Sequence, residues 1–556
     1  MRPIIVIALC VGLSACDGLI SGPAPSILGP GTIGSPRPSP TTSPSPTPTS
    51  TPTPSPTPPP PVVPGQPIFA RLTVEQYRLT TEALLGAPLP AVELDPDTTP
   101  HLYASIGAAR TTVSERLMAQ LEVASRALTA SVFADPLHRT LFVGCAPADA
   151  NDPCIGTFLE RFGRRAFRRT ITADELARFR ALITAQTDVN KGLRMATSAI
   201  LQSPSFLYRV ERGTGTGTKI PVQREEMASR LAFLIWNAGP DQALLDAAER
   251  GALDTIEGIK AELPRLMADP RAPKAARSFF AEYLGAGSFD TLDRDPTRYP
   301  RWEPGLGTSM RGELERFVEL LVQGGGDLRR LFDQRDTFVD EKLARFYGLP
   351  PVSGWTQVRF PDASMRGGIL SLGGVLAFTS HAGSTSPTRR GVFIRERLLC
   401  ETIPAPPPDV VTELPPPGGT AQTVRARLAE HRRNPRCATC HASFDPLGLG
   451  LEEFDASGSL RTEEAGMPVD NSGVFEGNEF HGARELGTLF ASDPRVARCL
   501  ARQVFRRALG RLDTNGEYSA IDQMASDLER GGYRWNALIE AIATNEAFRF
   551  VTPETP

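Results

Sequence analysis

Histidine is scarce in this chain, with six in 556 residues, and the formal net charge is only −3. A protein that grips nucleic acid carries a basic patch or stripe, and no such excess is present here. Strand signals are also sparse, the best being Trp355 to Phe360. Aromatic residues make up 7%, and few of them fall in the exposed patterns of a glycan-binding surface. No apolar run is long enough to stay in a bilayer. The longest near the start, Ile4 to Val11, falls well short of a span.

That short run still has a use. Arg2 supplies a positive start, Ile4 to Val11 an apolar centre, and Leu13-Ser14-Ala15-Cys16 follows. Small residues before a cysteine at that point read as a bacterial lipobox, with residues 1–15 a signal peptide and Cys16 carrying lipid. An ordinary signal peptide with a chance cysteine is the alternative. Several acyl chains on Cys16 would hold the protein at a lipid bilayer. Residues 16–67 read as a stalk: Pro38 to Pro61 is an unbroken run of Pro, Ser and Thr. It has no apolar period and forms an extended, partly polyproline spacer. The expected location is the cell envelope, facing periplasm or cell surface.

Five residues carry the chemistry: Cys437-Ala438-Thr439-Cys440-His441. The CxxCH spacing lets two thiols add to the vinyl groups of one porphyrin, with the next histidine as proximal iron ligand. One covalent haem c is therefore expected, on Cys437, Cys440 and His441. A zinc site or a thiol redox motif can share this spacing. Zinc needs further convergent ligands, and no other cysteine lies nearby. A thioredoxin-like motif needs a strand before it, whereas the flanks read as a helix before and a Pro-Gly turn, Asp445-Pro446-Leu447-Gly448, after.

The sixth iron position has four candidates: Met467 in the loop Gly466-Met467-Pro468, His481, His381, or no protein ligand at all. A thioether there raises the reduction potential and suits electron transfer, while an open position permits small-ligand chemistry. Arg433, Arg436 and Arg461 are candidates for the haem propionates on charge alone. A small cytochrome needs two helices crossing beside the haem. Val424 to His431 and Pro494 to Ala508 are expected to fill that role, with Leu428, Val496, Leu500, Val504 and Phe505 in contact.

The chain has eight cysteines. Cys10 leaves with the leader, Cys16 is lipidated, and Cys437 with Cys440 go to haem. Four remain, and in an oxidising compartment two disulfides are expected. Cys145 and Cys154 flank a turn-rich segment and pair locally; Cys400 and Cys499 follow by elimination. Buried free thiols are the alternative for each.

After the stalk the chain is long enough for roughly two to four cores. Apolar residues recur every three or four positions in Thr112 to Phe133, Ala166 to Ile183, Gly192 to Leu201, Arg224 to Trp236 and Met310 to Leu321. The expected class is mainly α: a multi-domain helical protein ending in a cytochrome c-like haem domain. The expected divisions are helical domains at 68–215 and 216–400, a Pro-rich strap at 401–422, and the haem domain at 423–556. Thr172-Ala173-Asp174-Glu175 is a capping box, and Asp269-Pro270-Arg271 and Asp493-Pro494-Arg495 read as helix starts.

An internal echo is visible. Arg164 to Arg169, an acidic helix and Ala199 to Phe206 are matched in order by Arg506 to Arg511, Ser519 to Leu528 and Ala541 to Phe548. Two related helical hairpin units are expected, with chance similarity between amphipathic helices as the alternative.

With these residues in view, the chain resembles an exported family, abundant in planctomycetes and myxobacteria, built from domains of unknown function 1587, 1595, 1592, 1588 and 1585. Arg71 to Arg78 with Leu84-Leu85-Gly86 resembles the first. Phe162 to Arg169 with Ser203 to Arg209 resembles the second. Ser229 to Trp236 and Phe338 to Gly348 resemble the third. His381 through Arg390-Gly391, the CxxCH, Asp445 to Gly448 and Leu451 to Asp455 resemble the fourth, and Cys499 to Arg511 the last. The resemblance implies covalent haem and no settled reaction. In larger relatives a cytochrome-like or cysteine-bearing segment precedes the opening domain; a stalk stands there in this chain.

His381 lies in a polar loop, Thr379 to Pro387, and is the candidate catalytic residue. A loop histidine satisfying a buried carbonyl is the alternative. Glu313, Asp340 and Glu341 give no paired-carboxylate site by spacing. The leading expectation is a membrane-anchored, extracytoplasmic monohaem protein in electron transfer with a redox partner protein. A haem-dependent oxidoreductase with a small-molecule substrate and a haem-containing binding or structural lipoprotein are the alternatives.

Overall fold

Many helix starts in this protein are set by side chains that accept backbone N–H bonds. Thr73 and Gln76 form a reciprocal capping box at the helix Val74–Leu85, and Thr172 with Glu175 forms another at Ala173–Thr184. Asp135, Asp152, Asp241, Asp340 and Asp493 cap five more. The computed structural model describes residues 60–86, 88–323, 325–406, 414 and 422–553. The leader, Cys16, most of the stalk and most of the Pro-rich strap lie outside the described residues.

The architecture is mainly helical. Among the described residues strands are short and occur as five antiparallel pairs. Thr356–Arg359, inside the expected strand, pairs with Asp336–Val339. The helix Arg224–Trp236 has the expected bounds, and Glu115–Ala134, Val189–Gln202 and Leu306–Gln323 lie within a few residues of theirs. The expected helix from Ala166 to Ile183 is two helices. Pro153–Phe167 ends at Arg168, which adopts left-handed φ 60°, and Ala173–Thr184 begins after the cap at Thr172. Arg168 is buried and donates to the carbonyls of Ala166, Ser205, Phe206 and Tyr208, which fixes the break.

The main apolar core draws on residues from Ile68 to Val551 and includes Trp236, Phe280, Phe317, Phe454 and Phe548. A second core lies under the first helices and holds Tyr77, Phe158, Phe162 and Phe206. Both expected disulfides are present: Cys145–Cys154 with Cα atoms 6.5 Å apart and Cys400–Cys499 at 5.3 Å. The second ties the end of the helical turn Ile394–Leu398 to the helix Pro494–Leu509.

The echo is a repeated order of elements. Pro153–Phe167, a left-handed cap at Arg168, the capping box, Ala173–Thr184, Val189–Gln202, the short helix Pro204–Leu207 and the strand Tyr208–Glu211 form the first copy. Pro494–Leu509, a left-handed cap at Gly510, a capping box at Thr514 and Glu517, Tyr518–Arg530, Trp535–Thr544, Glu546–Arg549 and Phe550–Val551 form the second. Even the ion pair repeats. Arg169 is bidentate to Glu175, and Arg511 makes the matching contact to Glu517 six residues on. The copies meet through a buried triad in which Arg209 and Arg230 both bind Glu211, and Arg230 also donates to the Phe548 carbonyl. With both arginines holding it, Glu211 stays ionised although burial opposes the charge.

Candidate functional site

The CxxCH residues lie on one helix, Pro435–Leu449, capped by Asn434. Spacings of three and four put Cys437, Cys440 and His441 on one face. This corrects the expected turn at Asp445-Pro446-Leu447-Gly448, which is the second half of the same helix. Pro446 removes one ladder bond, and packing holds the helix together there. The helix Pro387–Phe393 crosses it so closely that a Cβ on Gly391 would strike the Phe444 carbonyl, and one on Gly448 the Pro387 carbonyl. Glycine is required at both crossing points.

The crossing aligns a chain of hydrogen bonds. Thr388 Oγ1 donates to Asp445 Oδ1 at 2.9 Å, and Asp445 Oδ2 accepts from His441 Nδ1 at 2.9 Å. Asp445 is fully buried, while His441 keeps 19% of its side-chain surface. With Nδ1 carrying the proton, the Nε2 lone pair of His441 is free to bind a metal. His431 packs edge-on against His441, ring centres 4.9 Å apart. Burial lowers the pKa of His431.

Among the described residues Cys437 and Cys440 are the free cysteines, Cys437 buried and Cys440 exposed. Two unpaired thiols and a histidine with an open Nε2, in the order C-x-x-C-H, are the donor set that a c-type haem requires. No cluster of three or more His, Cys, Asp or Glu suited to a metal ion alone occurs among the described residues.

The remaining site candidates are dispersed. Met467 pairs with Glu464 in a two-residue strand and is 40% exposed. His481 ends the strand Asn478–His481 at the surface, its N–H donating to Glu485. His381 sits in a surface loop with its N–H on the Ser384 carbonyl, and burial, then the Arg389 charge, lower its pKa. No hydrogen bond joins Met467, His481 or His381 to His441 among the described residues. Arg433 and Arg436 are exposed beside the motif. Arg461 is turned inward, donating to Glu452 Oε2 at 2.8 Å and to its carbonyl at 2.9 Å.

The expected pairing of terminal helices is corrected. Leu428 packs with Val424 and Leu449 in a small cluster of its own. Val496, Leu500, Val504 and Phe505 belong to the main core. The helix Val424–His431 has too few apolar residues to reach that core. It is held instead by Arg425, which donates to the carbonyls of Leu449, Asp470 and Ser472.

The blocks around His381 and after the motif form a buried ionic lock. Arg390 binds Glu452 Oε1 at 3.0 Å and the carbonyls of Leu451, Phe454 and Asp455, and it donates to Ser380 Oγ. Thr385 also donates to Glu452. Burial pushes the Glu452 carboxyl up, and the Arg390 and Arg461 charges oppose that shift. Glu313 is a second buried carboxyl, accepting from Thr337 at 2.9 Å and Tyr347 at 2.6 Å, with its pKa pushed up to about 7 by burial. Sequence reasoning missed Asp445 as a partner of His441, although their separation of four residues would have shown it had the helix been continued through Pro446.

Four stretches match family models, each described as a protein of unknown function: residues 154–211 (DUF1595), 222–349 (DUF1592), 366–464 (DUF1588) and 476–548 (DUF1585). The third contains the CxxCH helix, Thr388 and the Arg390–Glu452 lock. No curated protein and no solved structure matches.

Proposed function

We propose that Cys437, Cys440 and His441 hold one covalent haem and that the protein transfers single electrons outside the cytoplasm, tethered through Cys16. The observation that carries the reading is the pair of unpaired thiols on one helical face beside a histidine whose Nδ1 is held by buried Asp445. When bound, the haem supplies a one-electron ferric–ferrous couple. His441 presents Nε2 to the iron, and the exposed Cys440 marks the side open to solvent and to a partner protein. Arg433 and Arg436 lie beside the motif and are candidates for the propionates; Arg461 binds Glu452. The disulfides agree with an oxidising compartment. No helix among the described residues is long and apolar enough to cross a membrane, so a membrane attachment would rest on the lipid.

A second reading, a haem-dependent oxidoreductase, draws support from the exposure of Met467 in its own strand pair. Optical spectra of the mature protein, made in a host able to attach haem, decide between them. Met-ligated iron that ignores carbon monoxide supports electron transfer. A high-spin spectrum that shifts with carbon monoxide supports the oxidoreductase.

A further inference from the structure

We infer that Asp445 is a positioning residue that makes His441 a strongly donating proximal ligand and so lowers the potential of the couple below the value it would have without that carboxylate. This rests on the haem reading above.

The geometry isolates the effect. Asp445 is fully buried, both carboxylate oxygens are used, and each has one named partner, His441 Nδ1 and Thr388 Oγ1. A carboxylate accepting from Nδ1–H fixes the tautomer, stops the ring from rotating and pushes electron density toward Nε2. A more basic Nε2 stabilises the ferric ion over the ferrous ion, which lowers the potential. Thr388 works against this, because its donated hydrogen bond draws charge from the same carboxylate. Its position is not adjustable: Gly391 and Gly448 set the crossing of the two helices at closest approach. The pair Asp445 and Thr388 therefore acts on His441 with opposite signs.

The opposite signs provide a test that a merely structural role would not satisfy. Wild type, D445N and T388V are made as full-length protein in a haem-attaching host, and covalent haem is read on a denaturing gel before midpoint potentials are measured. D445N is expected to shift the ferric–ferrous ratio at least tenfold toward ferrous, a rise of 59 mV for a one-electron couple. T388V is expected to lower the potential. D445N at the wild-type potential with haem attached, or both variants moving the same way, overturns the inference. If D445N does not fold, T388V alone decides: a fall supports the inference, and a rise or no change overturns it. Wild type without covalent haem overturns the proposed function itself.

Discussion

Replacing Glu313 with glutamine should change how stability depends on pH. Glu313 lies on the helix Leu306–Gln323, fully buried, with Thr337 and Tyr347 as donors. Its pKa is raised from 4.5 to about 7, burial outweighing the two hydrogen bonds and the charge of Arg366. The sign follows from proton counting. Between the two values the native state holds the proton more tightly than the unfolded chain, so this group's contribution is fully present below about 4.5 and is lost as pH rises toward 7. A shift of that size corresponds to about 3 kcal/mol in all. Glutamine keeps the shape of the neutral acid and never ionises. At pH 5 the variant and wild type should have similar urea midpoints. At pH 8 the variant should be more stable, by up to about 3 kcal/mol. Comparing the two proteins cancels the other groups that titrate over the range. Parallel pH profiles would refute the reasoning, because they would mean that Glu313 is ionised, or solvated, at neutral pH.

Other outcomes follow from the packing. Arg390→Met should cost about 3 kcal/mol in urea unfolding, because Glu452 stays buried with only Arg461 as its ionic partner; a loss within 0.5 kcal/mol (roughly the surface-substitution range) would mean the lock is solvated. Removing the Cys400–Cys499 bridge, with a sequence separation of 99, should destabilise more than removing Cys145–Cys154, with a separation of 9. Chain entropy puts the difference at about 2 kcal/mol, readable by paired Cys→Ser unfolding curves. Gly391→Ala should force the two crossing helices apart at a cost of about 1–3 kcal/mol. It should also weaken the Thr388–Asp445 bond, seen as a shift in the haem optical spectrum; an unchanged spectrum and stability would contradict the packing.

Much of the helical plan was legible because it is written locally. The capping box at Thr172, the proline after Asp493 and the apolar period of Arg224–Trp236 each dictate an element without distant help. The echo was readable for the same reason, and the repeated Arg–Glu pairs confirm it in three dimensions. The failures come from long-range packing. Proline and glycine at 446 and 448 read as a turn, yet a crossing helix 57 residues earlier in sequence overrides that preference. Arg168 breaks a periodic run because three carbonyls from a later segment collect around it. Leu428 was expected against the helix Pro494–Leu509 and instead packs with Val424 and Leu449, since one apolar residue on a polar helix fits several surfaces. The Cys437–His441 motif was plain in the sequence, whereas the carboxylate behind it was not, because its visibility depends on knowing that the helix continues.

Covalent haem on this helix is open to a direct check by mass spectrometry. The peptide spanning Cys437 to His441 is isolated from protein made in a haem-attaching host, with C437S/C440S as control. A porphyrin adduct on both cysteines, lost in the control, is the expected result. Two free or mutually oxidised thiols at Cys437 and Cys440 in the wild-type peptide would contradict it.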